Sequence, residues 1–311
     1  MCGTYYSNSA ALLSSQVAFF FVPHTHTQTK RRKRKNKAMA VVASTLLGFM
    51  FPPPPSLFIN TMSVISATSL AVSGLSEIRG KHLQYSKFWD VSHPQNPQPK
   101  NQIKLSSRTG MLLLYTPAFL AAFSSFLFFP INGGDIRFLL LSSALALHFF
   151  KRDFEVLFVH RYSGGMVLDS VIVITLSYFL STVSMIYAQN LTQGLPDPPI
   201  DLKYPGVVLF LVGMFGNFYH HYLLSQLRGK GEKEYKIPKG GLFGLVICPH
   251  YLFEIMIFVG VSFISQTLYA FSFTAGTIFY LMGRSYATRR WYLSKFEAFP
   301  QHVKALVPFV F

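Results

Sequence analysis

Pro205-Gly206-Val207-Val208-Leu209-Phe210-Leu211-Val212-Gly213-Met214-Phe215-Gly216-Asn217-Phe218-Tyr219-His220-His221-Tyr222-Leu223-Leu224-Ser225-Gln226 is one apolar run. A bilayer core of ~30 Å takes about 20 such residues as a helix, so the run spans it. As far as Gly216 it carries no ionisable group. Asn217, His221, Leu224 and Arg228 then follow at spacings of four, three and four, which puts them on one helical face. A polar stripe on a membrane helix is costly and lines a cavity or a site. Taken singly, Asn217 is as well explained by helix packing and Arg228 by snorkelling to the interface.

Six more apolar segments flank this one, at 56–76, 109–129, 136–150, 167–189, 242–262 and 264–282. The expected fold is therefore all-α, a polytopic integral membrane protein of about seven transmembrane helices. The segment at 136–150 is short for a span, and the last two are nearly continuous, as in a tight helical hairpin. Composition agrees. Of 311 residues, 50% are hydrophobic, 32 are Phe and only 13% are charged, too little polar surface for a water-soluble globule of this size. The net charge of +16 does not mark a nucleic-acid binder, because the basic residues fall in short clusters between apolar runs. Cys2 and Cys248 are far apart, with no CxxC spacing, so neither a disulfide framework nor a structural zinc site is expected. No internal repeat of the kind common in transporters is visible.

The loops alternate in charge. Residues 77–108, 151–166 and 227–239 and the C-terminal tail are basic, whereas 130–135 has no base and 190–204 holds Asp197 and Asp201 against Lys203. The positive-inside rule turns the basic loops and the C-terminus to the cytosol. Asn190-Leu191-Thr192 is then a glycosylation sequon in a luminal loop. Residues 1–38 contain no acid and end in Lys30-Arg31-Arg32-Lys33-Arg34-Lys35. They read either as a transit peptide or as an upstream extension with translation from Met39; we take the second, a segment disordered or removed in the mature protein. The remainder divides into 39–140, with the first membrane segments and a cytosolic loop, and 141–311, a C-terminal catalytic domain.

Three further groupings carry chemistry. The loop Gly229 to Gly241 is flexible and basic, suited to dinucleotide phosphates, though it has neither a GxGxxG nor a P-loop pattern. His250 and Glu254 lie four apart on one helical face, and a glutamate in an apolar helix marks a functional site. A His–Glu structural pair is the plainer reading, and no further ligands complete a metal site. Arg284, Arg289, Arg290, Tyr292 and Lys304 alternate with Tyr286 and Trp291, a pattern that also marks a membrane interface.

From Gly240-Gly241-Leu242-Phe243 through Cys248-Pro249-His250-Tyr251-Leu252-Phe253-Glu254, Gly283-Arg284-Ser285-Tyr286 and Trp291-Tyr292-Leu293 to Lys304-Ala305-Leu306-Val307-Pro308-Phe309-Val310-Phe311, the chain resembles the steroid 5α-reductase family. That family consists of membrane enzymes that reduce a carbon–carbon double bond with NADPH. The resemblance implies cofactor contacts at Asn217, Arg228, Tyr235, His250, Glu254, Arg284 and Tyr292, with Tyr251, Tyr115 and His250 as candidate proton or hydrogen-bond donors and no metal. The stretch His148 to Ser163 resembles the trans-2-enoyl-CoA reductase branch in particular. In steroid reductases a Glu and a Tyr hold the 3-keto oxygen; Tyr115 and Phe149 stand there in this chain. Where that family often has His, this chain has Thr288, and where it has an acid, this chain has His221.

The expected function is NADPH-dependent reduction of a C=C bond conjugated to a carbonyl in a lipid of the endoplasmic reticulum membrane, with a plastid membrane as the alternative site. The substrate first in line is a long-chain 2-enoyl-CoA, ahead of a steroid (sterol) enone or a polyprenoid. Partners implied are the bilayer and a fatty-acid elongation complex, without nucleic acid. The rival of another class is a non-catalytic membrane subunit that keeps the fold.

Overall fold

The computed structural model describes Thr45 and residues 48–88, 103–128, 135–162, 164–229, 232 and 234–311. The 1–38 extension lies outside them. Residues 49–311 form one compact unit. Its α-helices, among the described residues, are α1 (Leu57–Ile78), α2 (Ser107–Phe128), α3 (Ile136–Phe154), α4 (Leu168–Asn190), α5 (Lys203–Gln226), α6 (Pro249–Ser265) and α7 (Leu268–Lys295). Four of them, α1, α2, α4 and α5, are long and apolar enough to cross a bilayer, and α6 is a shorter apolar helix. Their outer faces expose Val64, Leu120, Val173 and Phe215, which lipid accommodates and water does not. The protein is a helical, multi-pass membrane protein.

Side-chain caps mark three of the helix starts. Ser56 accepts a hydrogen bond from the Ile59 amide, Asp135 from the amides of Arg137 and Phe138, and Thr267 from the Ala270 amide. Such caps satisfy backbone donors that a helix start leaves open.

Three boundaries differ from the sequence reading. The segment expected at 136–150 continues as helix to Phe154 and then through a π-helical turn, Glu155–Val159. The charges that end the apolar run there are neutralised inside the protein rather than in a loop. The segment expected from 242 begins as helix only at Pro249, because Gly240 and Gly241 take positive φ values and residues 241–244 form a 3₁₀ turn. The segment expected to end at 282 runs on to Lys295, so α7 extends past the apolar stretch. The hairpin between α6 and α7 turns at Gln266, in the left-handed region with φ of 50°.

Small residues bring the helices together. A Cβ on Gly283 would overlap the backbone of Gly74, and one on Gly260 the backbone of α5 near Phe210. Such close approach lets dispersion act where lipid leaves little hydrophobic drive between helices.

The two ends differ. At one, the buried Arg137 guanidinium donates to Asp197, Asp201, Gln266 and the Ile264 carbonyl. The sequon lies near this end; its Asn190 is half-buried, and its Thr192 is buried and hydrogen-bonded to Gln189. At the other end a two-stranded antiparallel ribbon pairs residues 104–106 with 165–167. The C-terminal tail runs beside Leu245–Cys248, with Ile247 and Cys248 amides donating to the Lys304 and Ala305 carbonyls.

Candidate active site

Two cavities meet inside the bundle. The first, of about 260 Å³, is polar and lies toward the end that carries the basic loops. Arg289, Arg290 and Lys304 do not line it, whereas the nine residues read as cofactor contacts or donors do: Tyr115, Asn217, Arg228, Tyr235, His250, Tyr251, Glu254, Arg284 and Tyr292. They come from α2, α5, α6, α7 and the loop after α5, so the tertiary fold alone brings them together. The stripe read on α5 faces this cavity through Asn217, His221, Leu224 and Arg228.

The second cavity, of about 270 Å³, is lined mainly by apolar residues of α1, α2, α4, α6 and α7. It shares Tyr85, Met111, Tyr115, Tyr178, Glu254, Tyr280 and Leu281 with the first. Ile65 on α1 and Val173, Leu176 and Leu180 on α4 line it and are also 41–57% exposed. The cavity therefore opens between α1 and α4 toward lipid.

A buried hydrogen-bond network forms the floor of the polar cavity. The Asn217 amide donates to Glu254 Oε2 at 3.0 Å and to the His250 carbonyl at 2.7 Å, and its Oδ1 accepts from Lys151. His148 Nε2 lies 3.4 Å from Glu254 Oε1. Glu155 holds Lys151 at 2.9 Å, Arg152 at 2.8 Å and His221 at 3.0 Å. Arg152 donates its other nitrogen to the Tyr115 hydroxyl at 2.6 Å. An arginine donates only, so the Tyr115 oxygen is the acceptor there; its own proton points to the Met111 sulfur at 3.9 Å, a weak acceptor.

Lys151, Arg152 and Glu155 correct the sequence reading, which counted the two bases among the charges of a cytosolic loop. The spacing of three and four to Glu155 is a helical ion-pair signal and was visible in the sequence. Glu155, His160 and His221 also bring three ligand-type atoms within 4.8 Å of one another. Both Glu155 oxygens already face cations, so a metal ion would have to displace Lys151 and Arg152. The chemistry of this cluster is that of an ion-pair network.

Around the mouth, Arg228 stacks 4.2 Å above the Tyr235 ring, which packs in turn on Trp291 at 4.9 Å. Arg161 donates to the Arg228 carbonyl. Arg284 is 1% exposed; it pairs with Glu77 and lies against the rings of Tyr85 and Phe88. Lys87, which no sequence signal singled out, reaches Thr288 at 3.4 Å and faces the Trp291 and Tyr292 rings. Burial pushes its ammonium down to about 8, and Arg284 and Arg228 act in the same direction.

This donor set fits a dinucleotide. Lys87, Arg161, Arg228 and Lys236 supply cations for phosphates at the mouth. Deeper in, the buried Nδ1 of His250 has no hydrogen-bond partner, an open position for an amide group of a ligand.

Comparison with known proteins shows the family of the chain. The family model described as 3-oxo-5-alpha-steroid 4-dehydrogenase matches residues 163–311. The human 3-oxo-5-alpha-steroid 4-dehydrogenase 2 is 30% identical over 250 residues, covering 79% of this chain and 95% of the relative. The chain belongs to the steroid 5α-reductase family. Members of the steroid 5α-reductase family are NADPH-dependent oxidoreductases of CH–CH groups. The crab-eating macaque (Macaca fascicularis) protein of the same name is 29% identical over the same shares. A very-long-chain enoyl-CoA reductase of Dictyostelium discoideum is 33% identical over 172 residues, 53% of this chain and 55% of the relative.

Proposed function

We propose that this protein uses NADPH to reduce a C=C bond conjugated to a carbonyl in an apolar lipid of the endoplasmic reticulum membrane. The observation that carries the reading is the meeting of a polar, cation-rich cavity with an apolar one open to lipid, at Tyr115 and Glu254. NADPH, when bound, supplies the hydride. Lys87, Arg161, Arg228 and Lys236 hold its phosphates, Tyr235 and Tyr292 its aromatic surface, and Asn217, His250 and Glu254 its carboxamide. Arg284 acts on the cofactor chiefly by fixing the loop of Tyr85 and Lys87. The basic loops at the mouth and the C-terminus face the cytosol, where the cofactor enters.

Of the three candidate donors, Tyr251 and His250 line only the polar cavity, whereas Tyr115 lines both. Tyr115 is the donor to the substrate carbonyl. Arg152 fixes its ring and oxygen, and the phenolic proton, held by the weakly accepting Met111 sulfur, turns to charge that develops on the carbonyl oxygen. The apolar cavity takes the lipid body and keeps water from the reacting carbons.

For the substrate, similarity across 95% of two proteins named 3-oxo-5-alpha-steroid 4-dehydrogenase 2 favours a steroid 3-ketone with a conjugated double bond. A second reading, a 2-enoyl-CoA, is favoured by Phe149, Lys151, Arg152 and Glu155, and it carries with it a place in fatty-acid elongation. Membranes containing the protein should oxidise NADPH with a 3-oxo-Δ4 steroid. Oxidation with a long-chain 2-enoyl-CoA alone selects the second reading. Oxidation with neither these nor a polyprenal sinks the reductase reading.

A further inference from the structure

Tyr178, on α4, stands at the junction of the two cavities and lines both. Its ring centroid lies 5.6 Å from that of Tyr115 on α2 and 5.6 Å from that of Phe149 on α3. Its hydroxyl makes no hydrogen bond among the described residues. A phenol turned into an apolar bundle without a partner is costly, and a phenylalanine would pack there as well. The hydroxyl has a use only if something entering the cavity accepts its proton. The Tyr115 hydroxyl beside it accepts from Arg152 and donates to the Met111 sulfur at 3.9 Å, a weak acceptor that a carbonyl oxygen replaces, so both phenols can donate to an oxygen in the same small volume.

We infer that Tyr178 is a second hydrogen-bond donor to the substrate carbonyl oxygen, paired with Tyr115. The assignment rests on the reductase reading above and holds for a ketone or a thioester. Reduction adds a hydride at the β-carbon and a proton at the α-carbon, and NADPH leaves as NADP⁺. Between these two events negative charge resides on the carbonyl oxygen. Two phenols from different helices stabilise that charge, and two phenols also fix which face of the double bond meets the cofactor. Phe149, packed against Tyr178, brings a ring but no hydroxyl.

The test compares purified wild type with Tyr178→Phe, which removes one oxygen from a cavity wall. The expected result is a fall in kcat of roughly a hundredfold, the scale of losing one oxyanion donor, with KM for NADPH unchanged. Infrared spectra of a bound, unreactive enone should show its carbonyl stretch at higher frequency in the variant, because a hydrogen bond is missing. Phe149→Tyr in the Tyr178→Phe background should restore part of kcat by returning a hydroxyl from the neighbouring ring. A Tyr178→Phe protein with wild-type turnover and an unmoved carbonyl band overturns the inference while leaving the reductase intact. A wild type that oxidises NADPH with no enone overturns the reading beneath it, and the inference falls with it.

Discussion

Arg284 Nη1 lies 2.7 Å from Glu77 Oε1 across 207 residues of sequence, and both side chains are almost fully buried. Arg284 also donates to the Leu83 and Tyr85 carbonyls. Glu77 accepts from His82 and from the Leu83 amide. One ion pair thus ties α1 to α7 and shapes the loop that presents Tyr85 and Lys87 to the polar cavity. The close approach of Gly74 and Gly283, three residues before Glu77 and one before Arg284, makes the pair possible.

Breaking that pair on one side leaves a buried charge unmatched. Glu77→Gln is expected to cost about 3–5 kcal/mol of stability, read as a lower midpoint of thermal unfolding in detergent. The double variant Glu77→Gln with Arg284→Met should be less destabilised than the sum of the two single changes. Additive losses would mean that the two side chains do not act as a pair.

Tyr115 and Arg152 form a unit, hydroxyl on guanidinium at 2.6 Å. Tyr115→Phe should lower kcat roughly a hundredfold, within the range for a general acid or hydrogen-bond donor. Arg152→Met should do nearly as much, and the double variant should lose little more, since groups acting together are not additive. Full activity in Tyr115→Phe would return the donor role to Tyr251 or His250.

Asn217 and His148 hold Glu254 in position at the polar cavity, where the proposed function has it accept from the cofactor carboxamide. Glu254→Gln keeps the shape and removes the charge. KM for NADPH is expected to rise about tenfold, near 1.4 kcal/mol, with the protein still inserted in the membrane. Unchanged turnover and unchanged KM for NADPH would remove Glu254 from the cofactor site.

Lys87 makes cofactor affinity depend on pH. Below about 8 its ammonium is charged. A phosphate favours the charged form, so above that pH binding must take up a proton, and affinity falls as pH rises. The slope approaches about tenfold per pH unit for one coupled proton. Lys87→Gln should weaken NADPH binding at neutral pH and flatten this dependence, measured by titration of protein fluorescence with NADPH. A steep fall that survives in Lys87→Gln would assign it to another group.

The membrane class and the approximate positions of the apolar segments were legible in the chain itself, as was the polar stripe of Asn217, His221 and Arg228; Tyr115, Tyr235 and Tyr292 were singled out only through the family resemblance. Apolar runs of bilayer length and isolated polar residues within them are properties of composition and spacing, and need no partner to be read. The helix boundaries at 154, 249 and 295 were not legible. They depend on partners far away in sequence that pair with the polar groups inside the fold, as Tyr115 does with Arg152 and His221 with Glu155, and on left-handed turns at Gly240, Gly241 and Gln266. Tertiary structure alone decided that Glu77 meets Arg284, that Lys87 joins the polar cavity, and that Tyr115 and Tyr178 face one junction while Tyr251 does not. Periodicity records which face of a helix is polar. Which helix stands opposite that face follows only from close approaches such as Gly74 to Gly283, where backbone meets backbone and local sequence carries no record of the partner.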